Sequence, residues 1–326
     1  MKIKGRGLLV IALLIFGGYA VYDYMKEQKA EQLKTEQSRL LTINFDQVDS
    51  IEISRPSDVI LLKRTLDGWN LESPVKDQAD NTAADDLVKM AASEKILDVA
   101  KEGNDIDWAM YGLDKPMGTI TFKNSAGQTN SFQIGSKSNF ENNPFARRDK
   151  EQRVLVVNSS WLTRVQNASI EYRDRRFFRH KMASIDELKL KNKKGLLEIA
   201  RKEGQWSSVA PKNVSLDQQK VRELIRGISN AKAAQFVEGQ LPKASSLFVL
   251  DLKLDGKSWS AQVVQAESKK IYATVSDPQF KLEMEPGALD NLINLTIDDL
   301  KVAVPKDQKQ PSKKDESAQI ADKKDK

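Results

Sequence analysis

The 326-residue sequence contains no cysteine and one histidine, His180. Disulfides, thiolate nucleophiles and Cys/His zinc sites are excluded, and a histidine-centred triad would have to be built on His180. Lipoprotein acylation is excluded too, because it needs a cysteine. A strong excess of one charge is also missing. Of the 52 basic residues, Lys2, Lys4 and Arg6 precede the first acid, Asp23; the remaining 49 face 46 acidic residues, a balance of +3. A nucleic-acid binder needs a basic stripe able to displace phosphate counterions, so no nucleic-acid partner is expected. With 40% hydrophobic and 30% charged residues, the chain has the length and mixture for two packed units.

Residues 8–22 carry no charge or strongly polar side chain and follow the basic stretch Met1-Lys2-Ile3-Lys4-Gly5-Arg6. This is the pattern of a membrane-insertion signal with its positive flank in the cytoplasm. As a helix, residues 7–24 reach about 27 Å, near the ~30 Å hydrocarbon thickness, and put Tyr19, Tyr22 and Tyr24 at the outer interface. The expected layout is a cytoplasmic flank at 1–6, a transmembrane anchor in the inner membrane at 7–24 and a solvated helical stalk at 25–44. The rest of the chain is then extracytoplasmic. A cleaved secretory signal competes with the anchor, because Gly18-Tyr19-Ala20 offers small residues to a peptidase. Both readings export the same body.

Comparing the chain with itself reveals a duplication. Val48-Asp49-Ser50-Ile51-Glu52-Ile53 matches Ile185-Asp186-Glu187-Leu188-Lys189-Leu190 at an offset of 137, and the same offset pairs Trp69 with Trp206, Pro74 with Pro211, Asp80 with Asp217 and Leu87 with Leu224. Residues 118–134 match 248–263 at an offset of about 129. Each copy reads as alternating strands joined by Asp-Gly or Glu-Gly turns, then a helix capped by Asp80 or Thr82 in the first copy and by Ser215 with Gln218 in the second. A further hairpin, a strand and a short helix follow. The expected fold class is α+β, with repeats at 45–178 and 179–300 and a disordered polar tail at 301–326.

The segment Met110-Tyr111-Gly112-Leu113-Asp114-Lys115-Pro116, followed by Thr119-Ile120-Thr121-Phe122 and Phe132-Gln133-Ile134-Gly135, closely resembles a bacterial family known as a domain of unknown function (DUF4340). So does Tyr172-Arg173-Asp174-Arg175-Arg176-Phe177. The resemblance covers roughly residues 45–300, although Leu241-Pro242-Lys243 replaces the Gly-Leu-Asp-x-Pro element in the second copy. It implies a membrane-anchored envelope protein of the kind that accompanies gliding-motility-type ABC transport components. It implies no catalytic residues.

The remaining motifs favour structure over chemistry. Gly256-Lys257-Ser258 lies in a hairpin turn and lacks the first glycine of a phosphate-binding loop, where Asp251 stands. The acid pairs Asp85/Asp86 and Asp298/Asp299 diverge on their elements, so no catalytic, metal or cofactor site is expected. Trp69 and Trp206 occupy equivalent core positions. The candidate binding residues are Trp108 and Tyr111, Phe140 in the polar insert 136–149, and Arg173, Arg175 and Arg176 in the basic junction. The expected function is that of a noncatalytic membrane-anchored scaffold with an envelope protein partner. The alternative is a module that binds a cell-wall glycan or lipid headgroup.

Overall fold

The computed structural model describes residues 21–26, 28–29, 38–42 and 47–302. The chain divides into two compact units, Met1–Arg175 and Arg176–Lys326, each with its own apolar core.

In the first unit, β1 (Val48–Ser54), β2 (Val59–Thr65) and β3 (Gly68–Ser73) form a meander, extended by the short β4 (Asp77–Gln78). Helix α1 (Asn81–Ser93) then leads to β5 (Asp98–Glu102). Strands β6 (Gly118–Asn124), β7 (Thr129–Ser138), β8 (Pro144–Arg148) and β9 (Arg153–Val156) return, and α2 (Ser160–Gln166) follows. The sheet order is β4-β3-β2-β1-β6-β7-β8-β9-β5. The second unit repeats it. Its meander is β10 (Ile185–Asn192), β11 (Gly195–Lys202) and β12 (Gln205–Ala210), followed by α3 (Gln218–Asn230) and β13 (Ala233–Phe236). Strands β14 (Ala244–Leu254), β15 (Lys257–Ala266), β16 (Ile271–Ser276) and β17 (Gln279–Met284) and helix α4 (Asp290–Ile293) complete it. The order is β12-β11-β10-β14-β15-β16-β17-β13.

The duplicated residues account for the duplicated geometry. Ile51 and Ile53 are buried around exposed Glu52, as Leu188 and Leu190 are around exposed Lys189, so each first strand offers one apolar face to its core. Glu203 and Gly204 both adopt positive φ, the geometry that lets a two-residue turn follow strand twist. Asp80 and Asp217 accept hydrogen bonds from the second and third helical N–H groups of α1 and α3. Ala84, Leu87, Val88 and Ala91 form the buried stripe of α1; Val221, Leu224, Ile225 and Ile228 form that of α3. A closing contact is shared as well: Asp80 N–H donates to the Tyr172 carbonyl, and Asp217 N–H to the Leu300 carbonyl, both at 2.9 Å.

Three expectations need correction. The body is not α+β: among the described residues it is dominated by two large antiparallel sheets with few, short helices. Segments not marked by apolar alternation in the sequence, among them β5 and β13, are strands, which leaves one substantial helix against each sheet. Among the described residues no helix is long and apolar enough to cross a membrane, and residues 7–20 of the expected anchor lie outside the described residues. The segment assigned to the stalk ends inside the first core, where Leu40 and Leu41 are buried and their N–H groups donate to the Glu94 and Ala91 carbonyls. In the second copy the cap is Asp217 in place of Ser215, because the Gln218 amide is taken by both main-chain groups of Trp206.

Candidate functional site

Trp108 and Tyr111 open and close a single 3₁₀ turn, Trp108–Tyr111. The Asp107 carboxylate starts it by accepting from Ala109 N–H at 3.1 Å, and Gly112 ends it in the left-handed region at φ 67°. Leu113 then inserts into the protein.

This turn lies on the β7–β8 hairpin. Pro144, Ala146 and Arg148 of β8 point inward and are buried, so Phe145 and Arg147 occupy the other face. There the Arg147 guanidinium stacks on Trp108, 3.9 Å from the ring centroid, and Tyr111 packs edge-on against Phe145 at 5.0 Å. Strand β7 is bulged between Ile134 and Ser138. In the bulge, Ser136 N–H donates to the Gly112 carbonyl at 3.0 Å and Lys137 Nζ to the Ala109 carbonyl at 3.0 Å. The bulge thus diverts ladder hydrogen bonds to hold the turn. Two glycines make the approach possible: a Cβ on Gly112 would sit 2.4 Å from Ser136 Oγ, and one on Gly135 2.6 Å from the Tyr111 carbonyl. The Tyr-Gly-Leu and Ile-Gly elements of the sequence are the two halves of this clasp.

Beyond the bulge, residues 139–143 turn the hairpin. The Asn139 side chain accepts from the N–H groups of Glu141 and Asn143, both at 3.0 Å, and main-chain bonds link Asn139 with Asn142 and Asn143. Asn142 takes φ 63°. Phe140 stands at the tip, 92% exposed.

The arginines are placed elsewhere. Arg173 binds Asp77 at 2.6 Å, Arg175 lies 3.6 Å from Glu171, and Arg176, in the second unit, bridges to Lys232 through its backbone. Tyr172 beside them is buried, which raises its phenol above the ordinary range, and its hydroxyl donates to the Arg164 carbonyl. Trp108 and Tyr111 therefore pack on the β7–β8 hairpin whose tip carries Phe140, and neither ring contact involves Arg173 or Arg175. Arg147 and Phe145 were not singled out in the sequence. The alternation Phe145-Ala146-Arg147-Arg148 was the available signal, and it is masked because the inward position carries an arginine, held by Glu151 at 2.7 Å and by the Arg39 carbonyl.

Other titratable groups are occupied by the fold. His180 Nε2 lies 3.1 Å from the Asp277 carbonyl. Asp85 accepts from the Trp69 indole and from Arg64, both at 2.9 Å, and Asp299 closes a capping box with Thr296. Thr296 hydrogen bonds hold the Asp299 carboxyl below its usual range. Among the described residues no group of three or more acidic or histidine side chains could hold a metal ion. A groove of ≈ 490 Å³ lined by Lys63, Arg64, Lys123 and Asn124 contains none of the candidate residues.

Fold and surface together define a duplicated antiparallel-sheet protein whose first copy carries a 3₁₀ turn clasped to a bulged hairpin. The chain belongs to the family described as a domain of unknown function (DUF4340), which matches residues 69–251, from β3 of the first unit into β14 of the second. No curated protein and no solved structure matches it.

Proposed function

We propose that this protein is a noncatalytic accessory or scaffold of an envelope complex, of the ABC-transporter type that the family resemblance implies. It is tethered to the membrane through its apolar residues 8–22 and faces away from the cytoplasm. The surface of the first unit formed by the 3₁₀ turn and the β7–β8 hairpin is its docking site. One observation carries the reading: the candidate aromatic and basic groups are spent on internal partners, Arg147 on Trp108 and Asp77 on Arg173, while the hairpin holds Phe140 out to solvent. A sugar platform would need a free ring face, and Trp108 gives one of its faces to a guanidinium. Tethering raises the effective concentration of the docking surface for a membrane partner.

The test is purification of the tagged full chain from gently solubilised membranes. A reproducible membrane or envelope protein should accompany it; repeated purification of the chain alone would sink the proposal. Protease added to intact spheroplasts should digest the body, and protection until lysis would refute the orientation.

A further inference from the structure

The two units differ in how they treat charge at the start of their first strands. In each, a bulge sets two consecutive residues on the outer face of the sheet: Asp49 and Ser50 between buried Val48 and Ile51, Asp186 and Glu187 between buried Ile185 and Leu188. In the second unit both acids are paired. Asp186 binds Arg201 at 3.0 Å and accepts from Asp255 N–H at 3.2 Å, and Glu187 binds Lys253 at 2.6 Å. In the first unit the same row reads Lys63, Ser50, Lys123, one residue on each of three neighbouring strands. Arg64, which stands where Arg201 does, turns instead to Asp85 at 2.9 Å and lies over the Trp69 ring. Among the described residues Asp49, Lys63 and Lys123 are left without an ion pair, and Glu52, the next acid on that face, sits in the following row between Leu61 and Thr121. Exposed lysines are ordinary, but here a whole row that is neutralised in one copy stands open in the other, and it lines the groove of ≈ 490 Å³. The two lysines, two strands and about 10 Å apart, face one another across an uncharged side chain, an arrangement that an anion between them stabilises.

We infer that this groove binds a phosphate ester that carries an amine, the phosphate held by the Lys63 and Lys123 ammonium groups with the Ser50 hydroxyl, and the amine received by Asp49. This goes beyond the scaffold reading and does not depend on it. Two ammonium groups act as point charges that approach a tetrahedral phosphate from separate directions, whereas a planar carboxylate is matched by a guanidinium fork. The guanidinium at the groove, Arg64, is already engaged by Asp85. Asp49 repels a bare anion and attracts one that brings its own cation. Such esters occur as lipid headgroups and as free molecules, and the test separates the two.

Inorganic phosphate and O-phosphoethanolamine are titrated by phosphorus NMR into the full chain in maltoside micelles. Wild type should bind both, phosphoethanolamine the more tightly, and added salt should weaken both. Lys63→Ala with Lys123→Ala should lose about tenfold or more for either ligand. Ser50→Glu, which copies Glu187 of the second unit, should lose as much, while Lys253→Ala, the matching lysine there, should change neither. Asp49→Asn should bind phosphate at least as well as wild type and lose about two- to fivefold for phosphoethanolamine. Short-chain phosphatidylethanolamine added to the micelles separates the sources: competition assigns a lipid headgroup, and its absence a soluble ester. No binding by wild type, or equal binding by the double-lysine variant and Ser50→Glu, overturns the site. An unchanged phosphoethanolamine affinity in Asp49→Asn overturns the amine contact.

Discussion

The first unit clasps a 3₁₀ turn to the flank of its β7–β8 hairpin, whose tip is rich in asparagine; the second closes β15–β16 through the same pair of main-chain hydrogen bonds, Ala266 N–H to the Lys270 carbonyl and Lys269 N–H to the Ala266 carbonyl, with charged side chains on the turn. Around these differences the two units share strand order, helix cap, tryptophan strand and closing contact. The shared parts are what this sheet requires in order to close. What only one unit carries is free to serve something outside the fold, so the surplus of the first unit is the place to look for function. A smaller difference points the same way. In the first unit Trp69 N–H donates to the Asn81 side chain and the Trp69 carbonyl accepts from Ala79 N–H, whereas in the second the amide of Gln218 meets both main-chain groups of Trp206. One requirement is met by two chemistries.

The comparison is tested most severely in the cores. Trp161, fully buried against Phe132, and Trp259, buried between Phe177 and Phe178, should each cost about 3–5 kcal/mol as Trp→Ala. Amide exchange read separately in the two sheets should show the loss in the sheet that carries the change. The paired Trp→Phe changes sharpen the contrast. Trp259 donates its indole N–H to the Asp277 carbonyl at 3.0 Å, while the Trp161 indole N–H has no hydrogen-bond partner among the described residues, so Trp259→Phe should cost about 1 kcal/mol more.

Next is the clasp. Gly112→Ala places a methyl group against Ser136 at φ 67° and should cost about 1–2 kcal/mol from the backbone alone, with more from the clash. Gly239→Ala, at φ 82° with open space around it, should cost the backbone part only. Denaturant unfolding measures both, and equal losses would show that the clasp is loose. Helix starts should behave alike: Asp80→Ala and Asp217→Ala should each cost about 0.5–2 kcal/mol. Gln218→Ala should exceed Asn81→Ala, because Gln218 bonds both main-chain groups of its tryptophan and Asn81 one.

The smallest effect is in pH dependence. Burial raises the Glu94 carboxyl above its ordinary range, so its contribution to stability is fully present below the unfolded value of 4.5 and is lost as pH rises through the folded value. Asp299 is lowered, so its contribution is present above the unfolded value of 3.8 and is lost as pH falls through the folded value. Stability differences between wild type and Glu94→Gln, and between wild type and Asp299→Asn, should therefore tilt in opposite directions on titration. Parallel curves would refute the assignment.

Much of the framework was legible because it is written in local chemistry. The offset of 137 joins Asp80 to Asp217 and Trp69 to Trp206, and cap, turn and alternation all act within a few residues. The parts that were missed depend on partners far along the chain. β5 buries neither face deeply, so Asp98–Glu102 carries no alternation to read. β8 turns Arg148 inward, which is tolerable only because Glu151 and the Arg39 carbonyl meet it there. The junction arginines looked available until Asp77, almost a hundred residues earlier by the separation of 96, claimed Arg173. The extra length expected in the stretch 136–149 falls in the bulge between Ile134 and Ser138, while the tip at 139–143 is a turn that the second unit makes too.

The strand order also governs how the chain can be made. In each unit the strand that follows the helix, β5 or β13, finds its only sheet neighbour among the described residues in the last strand produced, β9 or β17. A ribosome or export channel delivers β5 long before β9, so that strand waits unzipped while the meander beside it is already complete. Neither unit can lock until its final strand emerges, which favours a nascent chain that stays threadable for most of its passage.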